Sequence, residues 1–203
     1  IAANDFQRDL LLPPLLERLR AVAPGVTLRV IPSDVPTAAM LRDEDCQLAI
    51  PPRPPEAGDI LQKRLFADTY RVFYDASQRP APASLDDYLA AEHVTVLYVP
   101  RRSLDIDQLL LARGIERRFV ALVPGFAGIP SFLRGSARLA TVPGLLGGGL
   151  LRGLASTALP VPCPPMPMYL IWHLRHHHDP AHSWLREQLE ALVPAALTRA
   201  QPA

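Results

Sequence analysis

Apolar and polar positions along the chain follow two rhythms, one helical and one alternating, and they take turns. Leu10, Leu11, Pro14, Leu15, Leu19 and Val22 recur at helical spacing and stop at Pro24-Gly25, after which residues 26–31 alternate as a strand. Residues 36–41 then read as a short helix, 47–50 as a buried strand, 51–55 as a loop and 66–74 as a longer strand. The breaker-rich run 78–84 predicts a passage into a second lobe. Ser84 is placed to cap a helix over 85–91, followed by a strand over 93–99. A helix over 104–113 ends at Gly114, and 118–123 is a strand. Residues 126–133 form a helical pattern stopped near Gly135, and 139–142 a short strand before Pro143. Past the proline-rich stretch 160–167, residues 168–173 read as a strand. The last helix takes Asp179 as cap and Pro180 as its first residue, with Trp184, Leu185, Leu189, Leu192 and Val193 on one face. Such an order of elements predicts an α/β fold with mostly parallel sheets.

Composition narrows the setting. The chain has 203 residues, 49% of them hydrophobic, enough for one large domain or two small lobes with a packed core. Its 21 basic and 20 acidic side chains leave a net charge of +1, with the arginines spread out and Lys63 the single lysine. That spread lacks the clustered basic footprint of a nucleic-acid surface. No apolar run approaches the roughly 20 residues that span a bilayer, and the opening residues carry Asp5, Arg8, Asp9, Glu17 and Arg18, unlike a signal peptide. Cys46 and Cys163 read as two reduced thiols, which fits a cytoplasmic protein. The chain opens at Ile1 in mid-pattern, so it reads as a piece of a longer polypeptide.

Candidate chemistry outside a binding role is thin. His178 and His182 stand four apart, a spacing that places two imidazoles on one metal, yet no His-Glu-x-x-His pattern is present and Asp179-Pro180 is more simply a helix start. Gly147-Gly148-Gly149 lacks the Lys and Ser/Thr of a phosphate loop and reads as a turn or helix end. There is no Gly-x-Ser-x-Gly nucleophile elbow, neither cysteine has a local activating partner, and Ser131 lies within an apolar helix pattern. No catalytic residue, metal or cofactor is expected.

Several segments, in order, carry a resemblance over nearly the whole chain. They are Leu12-Pro13 in a leucine-rich helix, Ala23-Pro24-Gly25-Val26, Leu48-Ala49-Ile50, Leu65-Phe66 with Tyr70, His93-Val94, Val123-Pro124-Gly125-Phe126, Thr141-Val142-Pro143, Asp179-Pro180-Ala181-His182 and Trp184-Leu185-Arg186. The set resembles the effector-binding domain of LysR-type transcriptional regulators, and its ending, with Trp172-His173, is similar to the branch that senses aromatic inducers. The resemblance implies a two-lobed fold like type 2 periplasmic binding proteins, each lobe a mostly parallel sheet flanked by helices. Residues 1–72 and 169–203 would form lobe I and 73–168 lobe II, joined by crossover strands at 69–74 and 168–173. It implies that the family's N-terminal winged helix-turn-helix, which contacts DNA, is absent from this chain. It further implies a small aromatic or carboxylate effector in the interlobe cleft, homodimers through side-by-side effector domains, and tetramers of the full-length protein.

In open α/β sheets ligands sit at the carboxyl ends of strands, where helix N-termini offer N–H groups and positive dipole. The turns so placed hold Ala3, Asn4 and Asp5, then Ser33 and Val35, then Arg101, Arg102 and Ser103, and finally Gly125 and Phe126. With His93 these form the expected effector site. Ser33 would offer its hydroxyl, Asn4 its amide, Phe126 a ring wall, and Arg101 and Arg102 charge for a carboxylate. The same Asn4, Ser33 and Ser103 also read as ordinary helix caps, Phe126 as core and the arginines as solvated. Where many family members present Ser or Thr, this chain has Ala3 and Asn4, and Gln47 replaces the usual acid before Leu-Ala-Ile. A transport solute receptor, or an enzyme on the same fold, stands as the competing function; the former predicts a secretion signal upstream, the latter turnover of the ligand.

Overall fold

The computed structural model describes residues 1–33, 37–98 and 102–201. The chain divides into two compact units, one made of Ile1–Ala67 and Pro167–Arg199, the other of Asp68–Met166 with Ala200.

In the first unit, helix α1 (Asp5–Val22) buries Phe6, Gln7, Leu11, Leu12, Leu15 and Leu19 along one stripe. Pro13 and Pro14 stand inside it and remove two backbone donors. They sit away from the buried stripe, so the carbonyls they leave unbonded, those of Asp9 and Leu10, face outward and can meet water. The helix is held by its packed stripe rather than by propensity. Beside it, three short segments run parallel through single bridges, Ile31 to Ala2 and Ala2 to Ala49, and Ala49 pairs antiparallel with Ile171. Ile171 lies on β8 (Met166–His173), which pairs with β1 (Ile60–Asp68). Ala2, Leu41, Cys46, Ala49, Ile60 and Ile171 pack as one core cluster, with helix α2 (Ala38–Arg42) contributing Leu41.

The strand expected over 26–31 is corrected: only Ile31 enters the ladder, and Val26 and Val30 are 50% and 39% exposed. A single parallel bridge to Ala2 and the donation of the Ile1 amino group to the Arg29 carbonyl at 2.8 Å join this stretch to the segment before α1, which turns into the helix at Asn4. The single strand expected over 66–74 is likewise two, β1 and β2 (Tyr70–Tyr74), because the chain leaves one sheet at Thr69 and enters another. Asp68 fixes that joint: its buried carboxylate accepts from the Thr69 N–H at 2.7 Å and the Leu145 N–H at 3.0 Å.

The second unit is built on a six-stranded sheet. Strand β3 (Glu92–Tyr98) runs parallel to β5 (Arg118–Val123) and to β6 (Leu139–Pro143), while β2 is antiparallel to β6 and to β7 (Ala155–Ala158). A short β4 (Arg102–Ser103) folds back antiparallel on β3. The sheet is therefore mixed where a mostly parallel one was expected, since β2 enters against the run of β3, β5 and β6. Helix α3 (Leu85–Ala90) is capped by Ser84, which accepts from the Asp87 N–H at 3.1 Å. Helix α4 (Asp105–Ala112) ends where Gly114 takes a φ of +74°, letting Ile115 N–H reach back to Leu110 at 2.9 Å. The helix expected over 126–133 breaks into a tight turn at Phe126–Gly128 and α5 (Pro130–Leu133), because Pro130 has no N–H to continue it. Back in the first unit, the chain's last helix, α6 (Pro180–Ala200), starts with Pro180 as its first residue, and Asp179 accepts from the His182 N–H at 2.8 Å. Among the described residues no helix is long and apolar enough to cross a membrane.

Candidate functional site

In the first unit the parallel bridges decide which turns lie together. Because Ala2 pairs in parallel with both Ile31 and Ala49, the turns at Ala3-Asn4-Asp5, Pro32-Ser33 and Pro51-Pro52 all leave the sheet at the same end. The Ala3 N–H donates to Ile31 at 3.1 Å and ties the first two together. Asn4 is the cap of α1: its Oδ1 accepts from the N–H of Phe6 at 3.0 Å and of Gln7 at 3.5 Å, and Asp5 opens the first turn with an acid on the positive end of the dipole. Changing Asn4 to Ala is expected to cost about 1 kcal/mol in urea denaturation.

Ser33 behaves differently. It is 6% exposed, its Oγ is buried, and that oxygen has no hydrogen-bond partner among the described residues. A buried hydroxyl left unpaired costs about 1–3 kcal/mol, so it is a group waiting for a donor or acceptor. The capping role open to it belongs instead to Thr37, whose Oγ1 accepts from the Met40 N–H at 3.3 Å at the start of α2. Val35 lies outside the described residues.

In the second unit Gly125 and Phe126 follow β5, and Gly125 is extended, with φ −169°. Phe126 is buried and meets Tyr98, the last residue of β3, edge-on with ring centroids 6.4 Å apart. Arg102 pairs with Tyr98 and Ser103 with Leu97 in the β3–β4 hairpin, so these residues also stand at the carboxyl end of β3. Ser103 is not a cap; its Oγ accepts from Gln108 Nε2 at 3.4 Å, and Leu104 precedes α4. Arg101 lies outside the described residues.

His93 is not brought to this end. It sits at the amino end of β3, five residues from Tyr98, which is about 17 Å along a strand. The ring is fully buried, with Nε2 at 2.8 Å from the Tyr88 carbonyl. A carbonyl only accepts, so Nε2 carries the hydrogen and Nδ1 is a bare acceptor with no partner. Burial lowers its pKa to about 4, with the cations Arg117 and Arg79 adding to the effect, so the imidazole is neutral at pH 7. Its position is that of a core residue.

Near the C-terminus His176 and His182 are held by each other and by their neighbours. His182 stacks on His176 at 5.0 Å, its Nε2 faces the Gln47 carbonyl at 3.1 Å and its Nδ1 meets Arg186. Arg186 in turn lies 4.5 Å over the Trp172 ring and donates to the carbonyls of His176 and His177. Among the described residues no three His, Cys, Asp or Glu side chains are grouped to hold a metal.

A buried network escaped the sequence reading. Thr95 Oγ1 donates to Asp107 at 2.7 Å, Arg117 pairs with the other Asp107 oxygen at 2.5 Å, and Arg117 also reaches the Tyr88 hydroxyl at 3.4 Å. That hydroxyl sits 2.6 Å from Thr141 Oγ1. Burial pushes the Asp107 carboxyl up, against the pull of Arg117 and the Thr95 hydroxyl. The available signal was a charged residue between Ile106 and Leu110 on the buried face of α4.

Comparison with known proteins bears on the family and the fold. Residues 1–193 match the family model described as LysR substrate binding domain. Nodulation protein D 1 of Sinorhizobium fredii is 29% identical over 192 residues, covering 92% of this chain and 60% of that protein. The HTH-type transcriptional activator NagR of a Ralstonia species is 29% identical over 204 residues, covering 97% and 67%. The chain thus spans about 60% of the length of the first of these relatives. Among solved structures, the regulatory domain of MexT, a transcriptional activator in Pseudomonas aeruginosa, superposes with a TM-score of 0.79 at 28% identity, covering 94% of this chain and 96% of that one. With its two α/β units and its strand-end turns, the chain belongs to the LysR substrate binding domain family and is an effector-binding regulatory domain.

Proposed function

We propose that the chain senses a small effector for a transcription factor that contacts DNA through a separate winged helix-turn-helix, and that it is no enzyme. The observation that carries this reading is the buried, unpartnered Ser33 hydroxyl at the same sheet end as the capped start of α1. In the first unit Ala3, Asn4, Asp5 and Ser33, with Val35, offer contacts; in the second unit, taken by itself, Arg101, Arg102, Gly125 and Phe126 do. Aromatic molecules, the inducers of the similar branch, and carboxylates are the effector class. Exposed Leu16, Val22, Val26 and Val30 form an apolar surface on the first unit through which copies pair as homodimers, and tetramers form in the full-length protein. The setting is the cytoplasm. An effector shifts such an assembly only by binding one arrangement better than another.

The test is a thermal-shift panel of aromatic and aliphatic carboxylates, phenols and flavonoid-like compounds. A ligand at 100 times its Kd adds about 2.7 kcal/mol, or roughly 5–10 °C in Tm for a chain of this size. Changing Ser33 to Ala is expected to abolish that shift while leaving the unliganded protein no less stable than before, since the lost hydroxyl has no partner among the described residues and its burial cost goes with it. A shift that survives the substitution, or a ligand recovered as a different compound, would sink this reading.

A further inference from the structure

Helix α1 carries a polar side chain within its buried stripe. Gln7 is 2% exposed, in company with Phe6, Leu11 and Leu12, at a position where an apolar residue would be buried at no polar cost. Its amide is poorly provided for at both ends. Nε2 donates to the Met168 sulfur at 3.9 Å, and a thioether is a weak acceptor. Oε1 is buried and has no hydrogen-bond partner among the described residues. The contact with Met168 also orients the amide. Sulfur has no hydrogen to give, so Nε2 takes the sulfur side and the carbonyl oxygen is left on the other.

The ordinary task of this position is not performed. With Asn4 as the cap, Gln7 is the third residue of the helix, where a glutamine commonly turns back to the N–H of the cap. Here Oε1 makes no such bond, and the amide is drawn to β8 instead.

The sheet fixes where that contact lies. The Tyr169 N–H donates to the Pro51 carbonyl at 2.9 Å, so Met168 stands beside the turn at Pro51-Pro52, which leaves the sheet at the same end as the turn bearing Ser33. At that end the first unit therefore buries two polar atoms that have no partner among the described residues, Ser33 Oγ and Gln7 Oε1. Their chemistries differ. A hydroxyl donates or accepts, whereas an amide oxygen only accepts. A carboxylate brought to Oε1 would set lone pairs against lone pairs. An ether there would leave Oε1 unpaired, which is how a buried polar site rejects a ligand that lacks the matching hydrogen.

We propose that Gln7 determines specificity at the effector site, its Oε1 accepting from a hydroxyl on an aromatic effector. The inference rests on the reading of this sheet end as the effector site, and it adds what the effector must carry: an O–H for Gln7, besides whatever group Ser33 holds.

The test titrates the full chain by calorimetry with the three hydroxybenzoates, each against its methyl ether, which keeps the ring and the carboxylate and loses the hydrogen. At least one isomer is expected to bind saturably, about ten-fold or more tighter than its ether. Gln7→Met, similar in size and apolar, should weaken that isomer to the level of its ether, and urea denaturation should find the variant no less stable than the parent, since an unpaired buried amide goes with the substitution. Ser33→Ala should weaken the phenol and the ether together. Equal affinity for phenol and ether, no saturation with any isomer, or a preference that survives Gln7→Met would overturn the proposal and leave the role of Ser33 standing. So would a Gln7→Met chain that unfolds at lower urea, because the amide would then be bonded inside the fold. A preference that Gln7→Met erases while Ser33→Ala changes nothing supports the proposal and removes the role given to Ser33.

Discussion

Changing Arg117 to Leu is expected to cost about 3–5 kcal/mol, because it leaves the Asp107 carboxylate buried without its cation. The substituted chain keeps an apolar side chain against Phe119 but loses the guanidinium that neutralises Asp107 and reaches the Tyr88 hydroxyl. Thr95 alone then faces a charge it can only partly satisfy. The double change of Asp107 and Arg117 to Leu should be milder than the single one, since no orphan charge remains and the desolvation cost of the pair is removed. Urea denaturation of the two single variants and the double one closes the cycle. A double variant as unstable as the sum of the singles would show that the two residues act independently, contrary to the 2.5 Å pairing.

The second large effect is on the pH dependence of stability. His93 has a folded-state pKa of about 4 against 6.5 when unfolded, since protonation would put a second N–H, on Nδ1, into a buried site with no acceptor. The unfolded chain therefore binds more protons than the folded one below about pH 6.5, and stability falls as pH drops from there towards 4. The full displacement corresponds to about 3 kcal/mol, all of it lost by the time the folded pKa is passed. Asp68 and Asp107 act in the opposite sense, because burial raises both carboxyls. The difference between the parent chain and His93→Gln isolates the imidazole: glutamine keeps an N–H for the Tyr88 carbonyl and does not titrate. The two stability curves should converge with falling pH across that window, and curves that stay parallel would place the imidazole in a solvated setting.

Elements with punctuation at their ends were legible from residues alone. Ser84, Gly114 and Asp179-Pro180 each mark a boundary that the backbone obeys for a local reason, a cap, a positive φ or a missing donor. Elements that depend on a distant partner were not. Residues 26–30 alternate like a strand yet only Ile31 after them forms a bridge, and the joint at Thr69 is not announced within the strand-like run 66–74. The site divides in the same way. That Ala3, Asn4 and Ser33 lie at one sheet end follows from placing turns after parallel strands, but that Asn4 is spent as a cap while Ser33 is not depends on Thr37 taking the second cap. His93 was grouped with turns at the far end of its own strand because its motif identifies a family, not a position along β3. The Thr95–Asp107–Arg117 network needs three separated segments to converge, and no spacing in the sequence announces it.

The interrupted make-up of the first unit also sets an order of events on the ribosome. The second unit is nearly contiguous, so nearly everything it needs has emerged once Met166 is out, whereas the first unit waits for the stretch ending at Arg199. At about 5–20 residues per second, that leaves Ile1–Ala67 roughly 5–20 s without β8 to pair with β1 or Ala49. With Pro13 and Pro14 taking two rungs from α1, the nascent helix has little strength of its own in that interval. By the end of that interval the second unit is nearly complete while the first is not, and the leucines of α1 stay open to a chaperone.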